Sequence, residues 1–197
     1  QAQDSLRWGA LCIEKASGSS LLSHVVIDGA SFGKDSNLFR AAVSVRDSDI
    51  TMYNVVFNNV FEGVYVNRGN ATIANCTFSG NNLGEQVSVK NGSATVENCF
   101  FYGTTGGDAI DFEGVSGGTI RDCVIFSSDD DGIDIGDFSS DISIIATNVY
   151  DCMDKSVSVG QSSHVTIERS IISGAQTGIA IFDNSRGIIE HTTIYGC

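Results

Sequence analysis

Short runs of alternating apolar and polar residues recur along the chain at a nearly constant interval. The segments AVSV, GVYV, QVSV, AIDF, GIDI, SVSV and GIAI begin their large apolar positions at Val43, Val64, Val87, Ile110, Ile133, Val157 and Ile179. The successive gaps are 21, 23, 23, 23, 24 and 22 residues. Between them, in register, runs a second set: TIANCTF, TVENCFF, TIRDCVI, SIIATNV, TIERSII and IIEHTTI. Period-2 alternation bounded by Gly, Asn, Asp and Ser predicts strands joined by turns, here a strand, a turn and a strand per repeat. The connecting stretches are too short and too polar for helices.

A repeat of this length narrows the architecture. Leucine-rich repeats have a similar period, but their leucine and asparagine framework is missing, and a propeller blade needs about twice the length. The remaining solution is an all-β parallel β-helix, a solenoid of about 7–8 coils of roughly 23 residues, forming a single domain over residues 1–197. β-Branched residues suit it, because each residue stacks on its equivalent about 4.8 Å away. The absence of proline also suits it, since interior strands donate every N–H to a neighbour. One interval is long: Leu11 to Val43 is 32 residues, and GASFGKDSNLFR (29–40) reads as a loop insertion. QAQDSLRWG (1–9) shows no amphipathic capping helix and Cys197 follows a strand directly, which reads as a module of a larger parent chain.

The pattern resembles the right-handed parallel β-helix repeats of pectate lyases, polygalacturonases and many bacterial surface proteins, from about Leu21 to Tyr195. GDAIDFEG, DDDGIDIGD, DKSVSVGQSS and TGIAIFDNS are similar in particular to runs in large bacterial surface proteins. The resemblance implies the fold and its right hand, and an extracellular or cell-surface location; it implies no fixed activity.

Aligning the repeats makes columns. Val25, Val55, Cys76, Cys99, Cys123, Thr147, Ser170 and Thr192 form one, all small or apolar, as an inward stack at a turn requires. Its three cysteines read as buried thiols serving as small hydrophobes, since parallel side chains seldom reach disulfide geometry. Cys152 and Cys197 share a column two coils apart, too far to bond. No CxxC spacing supports a metal on these cysteines.

Charge changes the picture. The chain carries 24 acidic and 11 basic residues, a net charge of −13. That excludes nucleic acid and anionic membrane as natural partners of the bare protein. No apolar run is long enough to span a bilayer, so no membrane insertion is expected. A polyanionic polysaccharide would need a cation in between.

The acids collect in one place. With Ile133 and Ile135 facing in, Asp134 faces out, and Asp111 stands in the same column one coil earlier: Cys12, Ser44, Tyr65, Ser88, Asp111, Asp134, Ser158, Ala180. Just before it runs Ala41, Glu62, Glu85, Asp108, Asp131, Lys155, Thr177, and just after it Arg46, Asn67, Lys90, Glu113, Gly136, Gly160, Phe182. Between Thr105 and Asp137 lie nine acids, opposed only by Arg121. Stacked carboxylates repel, and a cation, a proton or solvent must relieve them. Ca2+ fits, as a hard ion taking six to eight oxygens in flexible geometry. Asp108, Asp111, Asp131 and Asp134 are the candidate metal ligands, with Asp129, Asp130 or Glu113 nearby; the EF-hand spacing is absent. The other reading is a solvated acidic edge.

Two catalytic readings follow from the resemblance. In a calcium-dependent polysaccharide (uronate) lyase, Asp111 and Asp134 would hold the ion and Lys155 would be the base of the Asp108–Lys155 face. A lysine base needs a lowered pKa, whereas this acidic setting raises it, so Lys155 reads more simply as the neutraliser of Asp131. The polygalacturonase resemblance stops at the aspartates: where that family has Gly-His-Gly, this chain has Met153-Asp154-Lys155, and no Arg-x-Lys follows. His24, His164 and His191 occupy different turn positions and support neither a zinc site nor a serine triad. Tyr65, Phe182 and Trp8 are candidate sugar-stacking rings, each alone in its column. With so few long loops to wall a cleft, the expected function is a non-catalytic module with a calcium-binding face that contacts polysaccharide.

Overall fold

The computed structural model describes residues 7–80 and 83–197. The expectation about a cap at the N-terminus falls largely on residues 1–6, outside the described residues; Trp8 itself bridges to Ala30. The described chain winds through three parallel sheets of eight strands each, with no helix among the described residues. The first sheet holds Leu11–Glu14, Val43–Arg46, Val64–Asn67, Val87–Lys90, Ile110–Glu113, Ile133–Gly136, Lys155–Val159 and Thr177–Ile181. The second runs from Ser20–Ser23 to Arg186–Glu190, and the third from Val26–Asp28 to Thr193–Tyr195. Each strand pairs with its equivalent in the coils on either side, so the fold is the expected parallel solenoid.

There are three strands per coil, where the alternation predicts two. The segments TIANCTF and TVENCFF are each split at a corner: Asn70–Ala74 is followed by Thr77–Ser79, and Ser93–Glu97 by Phe100–Tyr102. The break is a single residue in the left-handed region, at Asn54, Asn75, Asn98, Asp122, Ala146, Arg169 and His191 in successive coils. Asparagine and aspartate tolerate that region best among residues with a side chain. A second such column, Asp47, Arg68, Asn91, Gly114 and Asp137, closes the strands of the first sheet.

At the corner the chain turns too sharply for every N–H to meet a ladder carbonyl, and side chains of the next coil accept instead. Cys76 donates its backbone N–H to Cys99 Sγ (3.4 Å), Cys123 to Thr147 Oγ1 (3.4 Å) and Thr147 to Ser170 Oγ (3.2 Å). This explains why thiols and hydroxyls interchange in that column: each is a small acceptor for a buried N–H. All six cysteines are free, with Cys76, Cys99, Cys123 and Cys152 buried.

The interior is a set of stacked apolar columns. Phe57, Phe78 and Phe101 lie face to face, with centroids 4.6 and 4.8 Å apart and planes within 7° and 3°. All three are fully buried, so the middle ring touches an equivalent ring on both faces. Replacing Phe78 by Ala is expected to cost about 3–5 kcal/mol, with a lower urea midpoint and unchanged slope. A loss under about 1 kcal/mol would show that the stack is not a structural column.

Candidate functional site

The site is built where the third sheet hands the chain back to the first. This is the least regular corner, and in the central coils it brings Asp108 and Asp131 just before their first-sheet strands and Lys155 to the start of the next one. Pairing of Ser88 with Asp111, Asp111 with Asp134, and Asp134 with Ser158 puts these four in one outward column. The column faces away from the core yet is not open to solvent. Ser88, Asp111 and Ser158 are as buried as core residues, and Asp111 is only 4% exposed. Longer side chains on the two flanking columns, Glu85, Asp108, Asp131 and Lys155 on one side and Lys90 and Glu113 on the other, stand beside it. The expected solvent-facing row is therefore a trench, and Tyr65 lies in it as well, covered and 5.3 Å beneath the Arg40 guanidinium.

The neutralising charges come from coils above and below. Arg121, the one opposing charge of the linear stretch, sits on the second sheet and pairs with Glu97. Arg40, at the end of the 29–40 insertion, binds Glu62 (2.7 Å) and Glu85 (2.8 Å). Lys90 pairs with Glu113 and stands 3.9 Å from Asp111 Oδ2. Lys155 meets Asp131 at 3.2 Å and Asp154 at 2.5 Å, and its backbone N–H also donates to Asp131 Oδ1. Neither Arg40 nor Lys90 is legible as a partner from linear order, because each reaches its acids one or two coils on; the aligned columns carry the only signal.

Asp108 and Asp134 have no ion pair among the described residues. Asp108 accepts the Asp131 N–H at 2.9 Å, and Asp111 Oδ2 accepts the Ser88 hydroxyl at 3.0 Å. Asp111 Oδ1 is buried with no hydrogen-bond partner among the described residues. Burial, then repulsion from Asp134, Asp131 and Asp111, pushes the Asp108 carboxyl up to about 8 despite its backbone hydrogen bond. Burial, with Glu113 next, pushes Asp111 up to about 7. Burial also raises Asp131 and Asp134. Lys155 is raised too: burial alone would lower it, but hydrogen bonds to Asp154 and Asp131 hold its proton on.

The four aspartates singled out from the sequence do not form one ring. They fall into two trios that share Asp108, one with Asp111 and Asp134 and one with Asp130 and Asp131, each with carboxylate oxygens within 4.8 Å of one another. The second is already served by Lys155; the first is not. A cleft of about 300 Å³ opens above them, reaching Gln161 and the half-exposed ring of Phe182, which lies over Gly160. The donors are oxygens only, and Asp111 keeps one buried oxygen free of hydrogen bonds among the described residues, so the first trio fits a hard cation.

A pH dependence follows. Asp108 and Asp111 have folded pKa values above the unfolded value of about 3.9, so between the two the folded chain binds more protons. Stability in chelator is therefore highest below about pH 4 for these groups and falls as pH rises through about 7 and 8, where they ionise in the folded state. The melting temperature in EDTA should drop by about 5 °C or more from pH 5.5 to pH 8.5, and Asp111→Asn should flatten the slope. A melting temperature that rises over this range would refute the assignment.

A family profile described as a right handed beta helix region matches residues 13–139. No curated protein sequence matches the chain. Among solved structures, a periplasmic alginate epimerase, AlgG, superposes with a TM-score of 0.50 at 8% identity, covering 94% of this chain and 75% of that one. The DFA-IIIase of Arthrobacter chlorophenolicus A6 gives 0.45 at 9% identity, covering 90% of this chain and 49% of that one. Pectate lyase Pel9A gives 0.44 at 12% identity, covering 94% and 68%. The chain thus spans three quarters of the first and about half of the second. At such identities the likeness is one of fold.

Proposed function

This chain belongs to the right-handed β-helix family, and from that premise we propose that it is a non-catalytic module that holds Ca2+ between Asp108, Asp111 and Asp134 and contacts polysaccharide through that ion. The observation that carries the reading is Asp111 Oδ1, buried without a hydrogen bond among the described residues, in a trio whose Asp108 and Asp134 make no ion pair. A fold does not leave a buried carboxylate oxygen unsatisfied without cost, and a divalent ion removes both the desolvation and the repulsion. Asp131 would belong to the rim, since Lys155 already occupies it. The ion would keep open positions toward the cleft, where uronate carboxylates or sugar hydroxyls would complete its shell.

An extracellular or cell-surface location agrees with this chemistry, because sites of modest charge density suit the millimolar calcium found outside cells. The superposable alginate epimerase is periplasmic by its description, which agrees with the location and says nothing of activity. No helix among the described residues is long and apolar enough to cross a membrane. The net charge of −13 argues against nucleic acid.

The lyase reading is second. It needs Lys155 as a base, and the ion pairs with Asp131 and Asp154 oppose the loss of its proton. Asp111 and Asp134 acting as a carboxylate pair would likewise need one of them free to exchange protons with a substrate, yet Asp111 is nearly inaccessible.

Calorimetry at pH 8 should give one Ca2+ site with a Kd of roughly 0.1–1 mM. The double variant Asp111→Asn/Asp134→Asn should lose binding at least tenfold while melting higher than the native chain in EDTA. No heat at about 5 mM Ca2+ would sink the site. Unsaturated product from uronate polymers, abolished by Lys155→Ala, would instead establish the lyase.

A further inference from the structure

The third sheet carries a second feature that the acidic trench does not explain. Register places Tyr102, Phe126, Tyr150, Ser173 and Tyr195 in one outward column on successive coils. Towards the other end the same column is small and polar, with Asp28, Asn58 and Ser79. Tyr102 and Phe126 stack, with centroids 5.5 Å apart and planes within 9°. Tyr102 is 46% exposed, and Phe126 and Tyr150 are partly covered by their column neighbours. Rings clustered on an outward sheet face present apolar surface that the core does not use.

The column has one gap. Ser173 stands where its neighbours have tyrosine, and a cleft of about 390 Å³ opens there, walled by Phe126, Tyr150 and Tyr195 and floored by Ser173 and Gly174. Tyr150 and Tyr195 are two coils apart, so their backbones are separated by about 9.6 Å, room for one ring between them. Asp151 supplies the only charge. Its carboxylate leans over Gly174, where a Cβ would lie 2.1 Å from Oδ1, so a glycine at this left-handed position (φ 75°) keeps the acid inside the wall.

We propose that this cleft binds a pyranose ring of a neutral polysaccharide, independently of calcium. A pyranose has apolar C–H faces and a rim of hydroxyl donors. The cleft offers aromatic walls for the faces, and for the rim the Asp151 carboxylate, the Ser173 hydroxyl and two phenols. No lysine or arginine lines it, which disfavours uronates, and a purely aromatic ligand would leave the carboxylate and hydroxyl acceptors unused. The cleft shares no lining residue with the acidic trench on the first sheet, and its fate does not depend on the calcium reading.

Saturation-transfer NMR and calorimetry in EDTA, with cellotetraose and laminaritetraose as neutral probes and tetragalacturonate as the anionic one, test it. A neutral tetrasaccharide is expected to saturate with a Kd of roughly 1 mM or tighter, with transfer to the sugar C–H protons. Tyr150→Ala should weaken it at least tenfold. Ser173→Tyr should do the same by filling the gap, and it should keep the melting temperature because the column accepts tyrosine in both neighbouring coils. Neither substitution should change calcium affinity. The proposal is overturned if neither neutral probe binds at about 20 mM, a concentration far above that Kd, or if Ser173→Tyr leaves binding intact. It is also overturned if phenol occupies the cleft and no sugar displaces it.

Discussion

In-register stacking of parallel coils is the constraint on which everything else in this molecule depends. Once each strand must hydrogen-bond its equivalent in the next coil, every side chain acquires its own counterparts as neighbours, about 4.8 Å above and below. Whatever is placed in a column is multiplied along the axis. For apolar residues this is favourable, as in the Phe57, Phe78 and Phe101 stack. For corner residues it creates the exchange of backbone N–H for a neighbouring thiol or hydroxyl.

For acids the same multiplication is unfavourable, and the molecule relieves it one coil at a time. Arg40 covers Glu62 and Glu85, Lys90 covers Glu113, and Lys155 covers Asp131. The series leaves Asp108 and Asp134 without an ion pair among the described residues, and Asp111 with only Lys90 at 3.9 Å. Because burial rather than mutual repulsion is the largest influence on each of the three, the trench is more than a crowded surface: it withholds water from charge. That combination of burial and unpaired charge is what the proposed cation site rests on. On the third sheet, the aromatic column shows the converse, rings multiplied on an outward face with one place left open.

On the reading proposed above, the two faces together describe a scaffold rather than a reaction centre. Lys155, the best candidate base, is held protonated by its neighbours, and Asp111 is sealed under flanking side chains.

Hydrophobic spacing alone determined the solenoid, the 23-residue period, the inward residues such as Ile133 and Ile135, and the common column of Asp111 and Asp134, because period-2 alternation and stacking are local rules that linear order expresses directly. The cysteine column was legible for the same reason. Only the tertiary structure decided that each coil has three strands, since one left-handed residue at Asn75 or Asn98 breaks a strand without breaking the apolar alternation. Only it decided that the outward column is a trench, that the four aspartates divide into two trios, and that Ser173 opens a gap among tyrosines. Burial, charge pairing and cleft shape depend on how far side chains from neighbouring coils reach over one another, and no column of letters records that distance.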